Sequence, residues 1–269
     1  MNMTLKPYPA YQDSGLPWLG QIPAHWEVRR LKSIATINPA KSEAIDTRRS
    51  EQRVAFLPME RVGADGRVDF REMRDINEVW TGFTYFRRND VIVAKITPCF
   101  ENGKGACLDN LPSSIGFGST EFHVLRASET VTPQFLHLLT ILPEFRQLGA
   151  DAMIGAAGQQ RVPELFVSCF QVAIPPLPEQ RAIARFLAHH DALTRCYIRA
   201  KQKLIVLLNE QKQAIIYHAV TRGLDPNVKL KPSGVPWLGE VPEHWRITRL
   251  KHIARVQTGI TLGKNYGST

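Results

Sequence analysis

The feature that most constrains the fold of this chain is an internal repeat. Residues 14–35 return as residues 233–254, 219 positions later, and 14 of the 22 aligned residues are identical. Both copies contain Ser-Gly-x-Pro-Trp-Leu-Gly-x-x-Pro-x-His-Trp, followed by Arg-Leu-Lys-x-Ile-Ala. Solenoid repeats are about 20–50 residues long, so a period this long indicates a duplicated domain. We expect the second copy to begin near residue 230 and to be incomplete within the 269 residues.

The repeated segment itself has the composition of a structural element. Its proline and glycine residues favour turns, its two tryptophans suit an apolar seat, and Arg-Leu-Lys-x-Ile-Ala is typical of the start of an amphipathic element. His25 and His244 each stand beside a tryptophan, but no second metal ligand or catalytic partner lies near them in the sequence. We therefore interpret both histidines as packed or hydrogen-bonded groups.

Between residues 40 and 177 the pattern changes to short apolar segments separated by turns. The segments Val54–Met59, Asp90–Ile96 and Phe122–Leu125 have the length and the β-branched content of strands. Apolar residues from Thr132 to Leu148 follow helical spacing, and Pro143 should interrupt that helix. The sequence predicts an α+β domain with a curved sheet and few helices.

From Pro178 to Arg222 the pattern is that of one long helix with a coiled-coil seam. Apolar or small residues recur at alternating steps of three and four without any Gly or Pro, and Gly223 follows a basic last turn. About 45 residues at 1.5 Å each give a rod of roughly 65 Å, whose apolar stripe needs a partner helix. The seam residues are Ile183, Phe186, Leu193, Tyr197, Leu204, Leu207 and Ala214, with His190, Ala200, Gln211 and His218 at the remaining positions.

These patterns divide the chain into three parts. We predict a compact domain over residues 1–177, a spacer helix over 178–222, and a linker with the start of the incomplete second repeat over 223–269. The sequence contains 34 Lys and Arg and 25 Asp and Glu, a formal net charge of +9. Residues 1–177 are neutral overall, so the whole excess lies in residues 178–269. Basic character favours a polyanionic partner, but the compact domain would have to bind one through local positive loops.

The cellular setting follows from what the sequence lacks. The residues near Met1 contain no apolar signal segment, and the longest aliphatic stretch, Leu204–Leu208, is far below the roughly 20 residues that span a bilayer. The cysteines are scattered without a Cys-x-x-Cys pair, which indicates reduced thiols and no zinc site. We expect a cytoplasmic protein with no membrane partner.

The order of these parts resembles the specificity subunits of Type I restriction-modification enzymes. The resemblance rests on residues 15–26 and 234–245, which carry Gly-x-Pro-Trp-Leu-Gly-x-x-Pro-x-His-Trp, and on Pro-Pro-Leu-Pro-Glu-Gln at 175–180 before the long helix. Residues 82–95 and Gly158-Gln159-Gln160 are also similar to that family's recognition domains. The resemblance implies a target recognition domain that binds double-stranded DNA. It also implies partner subunits that methylate adenine, translocate and cleave, while this chain itself is not catalytic.

The family pattern has two recognition domains joined by two antiparallel helices, whereas this chain has one domain, one helix and only the opening of the second repeat. Two interpretations remain open. The chain is a fragment of a longer subunit, or it is a half-subunit that forms a homodimer through its helix and reads an inverted-repeat split site.

Base reading requires side chains with paired donors and acceptors on exposed loops. Three stretches have that chemistry, and Arg87 and Arg88 are further candidates for phosphate contacts. The candidate DNA-binding residues in the three stretches are Lys95, Thr97, Asn102, Lys104, Ser119, Thr120, Gln159, Gln160 and Arg161.

Two other functions compete with DNA reading as interpretations of the sequence. A self-contained methyltransferase or nuclease would need motifs that the sequence lacks, because no glycine-rich loop for S-adenosylmethionine, P-loop or acidic nuclease cluster is present. Asn38-Pro39-Ala40-Lys41 matches only half of the adenine-methyltransferase tetrapeptide, since its fourth residue is not aromatic. We therefore expect no cofactor and no metal. The other rival is an inactive fragment or an assembly protein that docks partner subunits without reading DNA.

Overall fold

The computed structural model describes residues 6–50, 52–156 and 158–255. The chain forms two compact units, residues 1–191 and residues 192–269. In chain order the strands are β1 (Tyr11–Asp13), β2 (Gln21–Pro23), β3 (Glu27–Arg30), β4 (Ala35–Ile37), β5 (Arg53–Leu57), β6 (Met73–Asp75), β7 (Thr84–Arg87), β8 (Val91–Ala94), β9 (Gly105–Cys107), β10 (Ile115–Gly118), β11 (Phe122–Ala127), β12 (Gln171–Ile174), β13 (Leu230–Pro232) and β14 (Glu240–Pro242).

Among the described residues the helices are few, as the sequence predicts, and only one is long. Short 3-10 helices cover Lys41–Ala44, Met59–Arg61 and Leu250–His252. The α-helices are α1 (Leu31–Ile34), α2 (Ile45–Ser50), α3 (Ile76–Val79), α4 (Pro133–Thr140), α5 (Pro143–Asp151), α6 (Glu164–Cys169) and α7 (Leu177–Arg222). The α+β class and the long helix are both confirmed.

Among the described residues of the first unit, β4 to β11 form two four-stranded sheets, while β1 pairs with β2 and β3 pairs with β12. One sheet has the order β4-β11-β8-β9 with antiparallel neighbours throughout. The other has the order β6-β5-β10-β7, in which only β5 and β10 are parallel. The three predicted strand segments correspond to β5, β8 and β11. A tight turn at Asn89, with φ of 69°, leads the chain from β7 in one sheet to β8 in the other.

A buried ion pair lies beside that turn and links the start of β8 to β11 within one sheet. Asp90 is 1% exposed and Arg126 on β11 is 8% exposed. Arg126 donates from Nε to Oδ1 of Asp90 at 2.8 Å and from Nη2 to Oδ2 at 2.7 Å, and it also binds Glu43. Oδ2 of Asp90 accepts a further bond from the backbone N–H of Arg87 at 2.8 Å. Burial opposes the charge on Arg126, but the hydrogen bonds to the two carboxylates raise its pKa above the ordinary value.

The helix predicted over Thr132–Leu148 is divided as expected. Thr132 caps the first part, because its hydroxyl accepts a bond from the N–H of Phe135 at 3.3 Å. The second part begins at Pro143, which suits the first position of a helix and cannot continue the preceding one. Phe145 is fully buried in this second part, and its ring centroid lies 5.0 Å from that of Phe170 and 5.8 Å from that of Phe100.

Helix α7 extends over 46 residues and begins one residue before the predicted start. Gln180 fixes its first turn to the compact unit, since its buried amide donates to the carbonyls of Thr130 and Pro175, each at 2.9 Å. The helix ends at Gly223, whose φ of 76° is the left-handed conformation expected after a helix. Ile183 packs against the core, whereas the later seam residues Leu193, Tyr197, Leu204 and Leu207 are 43–69% exposed.

The internal repeat forms the same hairpin twice. Hairpin A consists of β1 and β2, and hairpin B consists of β13 and β14. The Ser14 N–H donates to the Gly20 carbonyl at 3.0 Å, and the equivalent bond from Ser233 to Gly239 is 2.9 Å. The glycines at both ends of each turn have φ between 64° and 73°. The structural interpretation of the repeat is therefore confirmed.

The two copies differ in what covers them. In the first copy Trp18 stacks on Phe170 with a centroid distance of 5.4 Å, and Leu31 is fully buried. In the second copy the equivalent residues, Trp237 and Leu250, are 76% and 64% exposed. The second copy thus keeps the hairpin but leaves its apolar contact surface open in the described part of the chain.

Candidate nucleic-acid interface

The backbone brings the three predicted contact stretches together at one edge of the first unit. The Lys95 N–H donates to the carbonyl of Glu121 at 2.8 Å, and the Lys95 carbonyl accepts from Val162 at 2.8 Å. The Thr97 N–H donates to the carbonyl of Gln160 at 3.0 Å. We call the surface formed by residues 95–104, 119–121, 154–156 and 158–161 the three-loop edge. Main-chain bonds hold its three loops in fixed register, which a base-reading surface requires.

Backbone bonds run in both directions between Ile154 and Arg161, at 3.0 and 2.9 Å. Gly155 and Gly158 take positive φ values of 127° and 84°, and a Cβ on Gly155 would meet the Gln159 carbonyl at 3.0 Å. Ile154, Gln159 and Arg161 are exposed, and Gln160 is half-buried. Two amide side chains therefore precede the guanidinium of Arg161, which lies at the closing pair with Ile154.

The loop of residues 95–104 is anchored by Phe100, which is 1% exposed. Asn102 is exposed and its amide can pair with a base edge. Lys104 is half-buried, and its ammonium donates to the Met59 carbonyl at 3.1 Å, so it is less available for DNA than the sequence suggests. Thr97 is half-buried too, with its hydroxyl 3.2 Å from the Met153 sulfur.

The remaining stretch contains Ser119, Thr120 and Glu121. Ser119 stabilises its own turn, because its hydroxyl accepts the N–H of Glu121 at 3.2 Å, while Thr120 is exposed. Glu121 accepts two bonds from Arg161, from Nη2 at 2.7 Å and from Nε at 2.9 Å. The hydrogen bonds and charge of Arg161 lower the pKa of the Glu121 carboxyl. This pair holds the arginine in one orientation at the edge.

A buried polar cluster beneath the edge was not found by sequence reasoning. His123 is 4% exposed, with Nε2 at 2.8 Å from the Val162 carbonyl and Nδ1 at 3.3 Å from the amide nitrogen of Asn38. Burial lowers the pKa of His123, which keeps the ring neutral at pH 7. Asn38 also donates to Glu164 at 2.7 Å. No sequence signal could join these residues, because they are up to 126 positions apart.

Arg87 and Arg88 do not join this edge. They precede β8, whereas Lys95 follows it, so the strand separates them from the three loops. Arg88 is tied locally, since its guanidinium donates to the Leu111 carbonyl at 2.8 Å. If Arg87 and Arg88 contact phosphates, they do so at the end of β8 opposite to the three-loop edge.

The described residues contain no group of three or more His, Cys, Asp or Glu that could hold a metal ion. The four cysteines are free, and burial raises the pKa of the Cys107 thiol to about 12. Within residues 6–50, 52–156 and 158–255, no helix has the length and apolar character that crossing a membrane requires.

The described residues thus contain a two-sheet domain with a polar three-loop edge, followed by a long helix whose later residues are exposed. The family model for the Type I restriction modification DNA specificity domain matches residues 23–206. The chain therefore belongs to the Type I restriction-modification DNA specificity family, and the resemblance drawn from the sequence is confirmed.

Two curated relatives from Escherichia coli are specificity subunits. The chain is 40% identical over 185 residues to the EcoAI specificity subunit, covering 67% of this chain and 30% of that protein. It is 35% identical over 198 residues to the EcoEI specificity subunit, covering 72% of this chain and 32% of the relative. The chain thus spans about a third of the length of these relatives.

Solved structures show the same fold. The crystal structure of the HsdS subunit from Thermoanaerobacter tengcongensis aligns with a TM-score of 0.57 at 20% identity, over 78% of this chain and 53% of that chain. A chain from a structural study of complex assembly and conformational transition of the type I R-M system aligns with a TM-score of 0.54 at 22% identity, over the same shares.

Proposed function

We propose that residues 1–177 read one half of a bipartite target on double-stranded DNA through the three-loop edge. The observation that carries this proposal is the convergence of Asn102, Gln159, Gln160 and Arg161 on one rigid edge. Amide side chains pair with two atoms of adenine in the major groove, and a guanidinium pairs with two atoms of guanine. The glycines at 155 and 158 allow a close approach of this loop to the duplex.

In the same proposal residues 178–222 set the spacing between half-sites and dock the methyltransferase subunits, and residues 223–269 are linker and repeat. Partner subunits carry out methylation and cleavage. The restriction and translocation subunit is associated with this chain by way of the assembled complex. The exposure of Leu193, Tyr197, Leu204 and Leu207 supports this role, because an apolar stripe of this kind favours a partner helix. The partner helix comes from a second repeat, from another subunit, or from a second copy in a homodimer.

Replacing Gln160 with Ala tests base reading. If Gln160 pairs with an adenine, its loss should weaken discrimination at one base pair by about 1–3 kcal/mol and leave the other positions unchanged. The measurement is selection from random duplexes at fixed salt, because phosphate contacts make affinity strongly dependent on salt.

The matched control is Gln52→Ala. Gln52 is an exposed glutamine just before β5. The edge lies near the other end of that strand, where the Leu57 carbonyl accepts the Ser119 N–H at 3.0 Å. This control should keep the base preferences of the parent chain. An unchanged preference at every position in the Gln160→Ala variant would remove Gln160 from the reading residues.

The assembly alternative makes a different prediction for the same experiment. A chain that docks partner subunits without reading DNA would bind the methyltransferase subunit and select no sequence. Light-scattering mass, measured for the chain alone and with that subunit, separates the cases. A dimer that selects a split inverted repeat would support the half-subunit, and a monomer that neither docks nor selects would contradict the proposed function.

A further inference from the structure

The guanidinium of Arg161 is held on one side by the carboxylate of Glu121. Nε of Arg161 donates to Oε2 of Glu121 at 2.9 Å, and Nη2 donates to Oε1 at 2.7 Å. Nη1 donates to the Gln159 carbonyl at 3.3 Å. A guanidinium has five N–H donors in one plane, so these contacts occupy three of them. Nη1 and Nη2 each keep one N–H for a further ligand.

The backbones of both residues are fixed at the three-loop edge. The Glu121 N–H donates to the Ser119 hydroxyl at 3.2 Å, and the Glu121 carbonyl accepts the Lys95 N–H at 2.8 Å. The Arg161 backbone exchanges two bonds with Ile154, at 2.9 and 3.0 Å. The Glu121 side chain is 22% exposed and the Arg161 side chain is 44% exposed. The carboxylate is therefore the more buried partner, and the guanidinium is the one that a ligand can reach.

The carboxylate changes what Arg161 attracts. An unpaired arginine near DNA is drawn to phosphates, which carry the charge of the duplex and no sequence information. Glu121 offsets the charge of Arg161, and it stays ionised because the hydrogen bonds and charge of Arg161 and the charge of Lys95 lower the pKa of its carboxyl. The free N–H groups on Nη1 and Nη2 still match the O6 and N7 acceptors of a guanine. The pair thus disfavours a phosphate contact and keeps a base contact.

We propose that Glu121 is a specificity-determining residue, which orients Arg161 so that Nη1 and Nη2 read the guanine of one G·C base pair and keeps Arg161 from contacting phosphates instead. Glu121 acts through Arg161, so it is a positioning residue. Repulsion of the wrong ligand is a general means of achieving specificity. This inference rests on the proposed function and deepens it, since it assigns one base of the half-site and the residue that fixes its contact.

The Glu121→Gln variant of the full chain tests this role, because it keeps the shape of the side chain and removes the charge. Base preference is measured by selection from random duplexes, and the salt dependence of affinity is measured on a control duplex that lacks the selected sequence. We expect the guanine preference at one position to fall at least about fivefold while other positions are unchanged. Affinity for the control duplex should rise and depend more steeply on salt, by about one phosphate contact.

Two variants of Arg161 separate the guanidinium fork from its charge. Arg161→Ala should remove the guanine preference at the same position as Glu121→Gln does. Arg161→Lys keeps a positive charge beside Glu121 but lacks the planar fork, so the guanine preference should be lost while the salt dependence stays that of the parent chain. A pair that only stabilises the fold would leave the base preferences of all three variants unchanged.

The matched control is Glu27→Gln, which changes the net charge equally and also breaks a glutamate–arginine contact, between Glu27 and Arg29 at 2.8 Å. Both residues lie on β3, which contributes nothing to the three-loop edge, so base preference and salt dependence should be those of the parent chain. If Glu121→Gln selects the same bases as the parent chain, or if its affinity for the control duplex does not rise, the inference is wrong and the proposed function stands. A parent chain that selects no sequence would overturn both.

Discussion

Replacing Asp90 with Ala should lower the free energy of unfolding of the first unit by about 3 kcal/mol, because it leaves a buried guanidinium without its main partner. Asp90 accepts both bonds of the bidentate pair with Arg126 and is 1% exposed. Breaking a buried pair from one side costs about 3–5 kcal/mol, and the lower end applies because Glu43 remains bound to Arg126. The loss is compounded by the freed N–H of Arg87 at the turn between the sheets.

Urea unfolding of the first unit measures this effect as a lower midpoint with an unchanged slope. The matched control is Asp46→Ala. Asp46 also pairs with an arginine, Arg49, at 3.6 Å, but its side chain is 98% exposed, so its loss should leave the midpoint where it is. If Asp90→Ala and Asp46→Ala unfold at the same midpoint as the parent chain, the buried pair does not stabilise the first unit as we argue.

This ion pair marks a limit of sequence reasoning about the fold. Short apolar segments separated by turns were enough to predict β8 and β11, and Pro143 was enough to predict the break between α4 and α5. Nothing in the sequence joins Asp90 to Arg126, which lie 36 residues apart, and Asp90 by itself looks like an ordinary turn residue before a strand. The pairing of β8 with β11 within one sheet is accompanied by this long-range contact, which propensity and periodicity do not report.

For the candidate site too, the sequence predicted local features but not the long-range contacts between them. Side-chain chemistry selected the stretches around Lys95, Ser119 and Gln160 one by one. Their convergence depends on backbone pairing between residues 95–97 and 160–162, which only the fold supplies. Composition also grouped Arg87 with these stretches, although a strand separates it from them. Lys104 carried the right charge, but its bond to a carbonyl of another loop was not predictable.

The repeat was the most informative sequence feature because it could be compared with itself. Identity between the copies predicted equal structure, and the two hairpins agree in strand register and turn bonds. The expectation that His25 is a hydrogen-bonded group is confirmed by its contact with Glu179. What the sequence did not predict is the difference in burial, since Leu31 is fully buried whereas Leu250 of the second copy is 64% exposed.

Leu204→Pro should abolish pairing of the long helix and docking of partner subunits. Proline removes a backbone donor and clashes with the preceding turn, which costs about 3 kcal/mol or more in a helix interior. Leu204 lies deep within α7 and is 45% exposed, so little packing opposes the break. Circular dichroism should show reduced helicity, and light-scattering mass with the methyltransferase subunit should fall to that of the separate chains.

Loss of docking in the Leu204→Pro variant has two explanations, a broken helix or a damaged contact surface. Placing a charge on one face or the other of an intact helix distinguishes them. Leu204→Glu puts a carboxylate in the seam, and Gln202→Glu puts the same group two residues away, on the opposite side. Both positions are exposed and glutamate favours helices, so neither change should reduce helicity. If the seam is the docking surface, Leu204→Glu prevents assembly and Gln202→Glu preserves it. Normal assembly of Leu204→Pro would instead mean that the partners bind elsewhere, and the exposed apolar stripe of α7 would no longer support the spacer role.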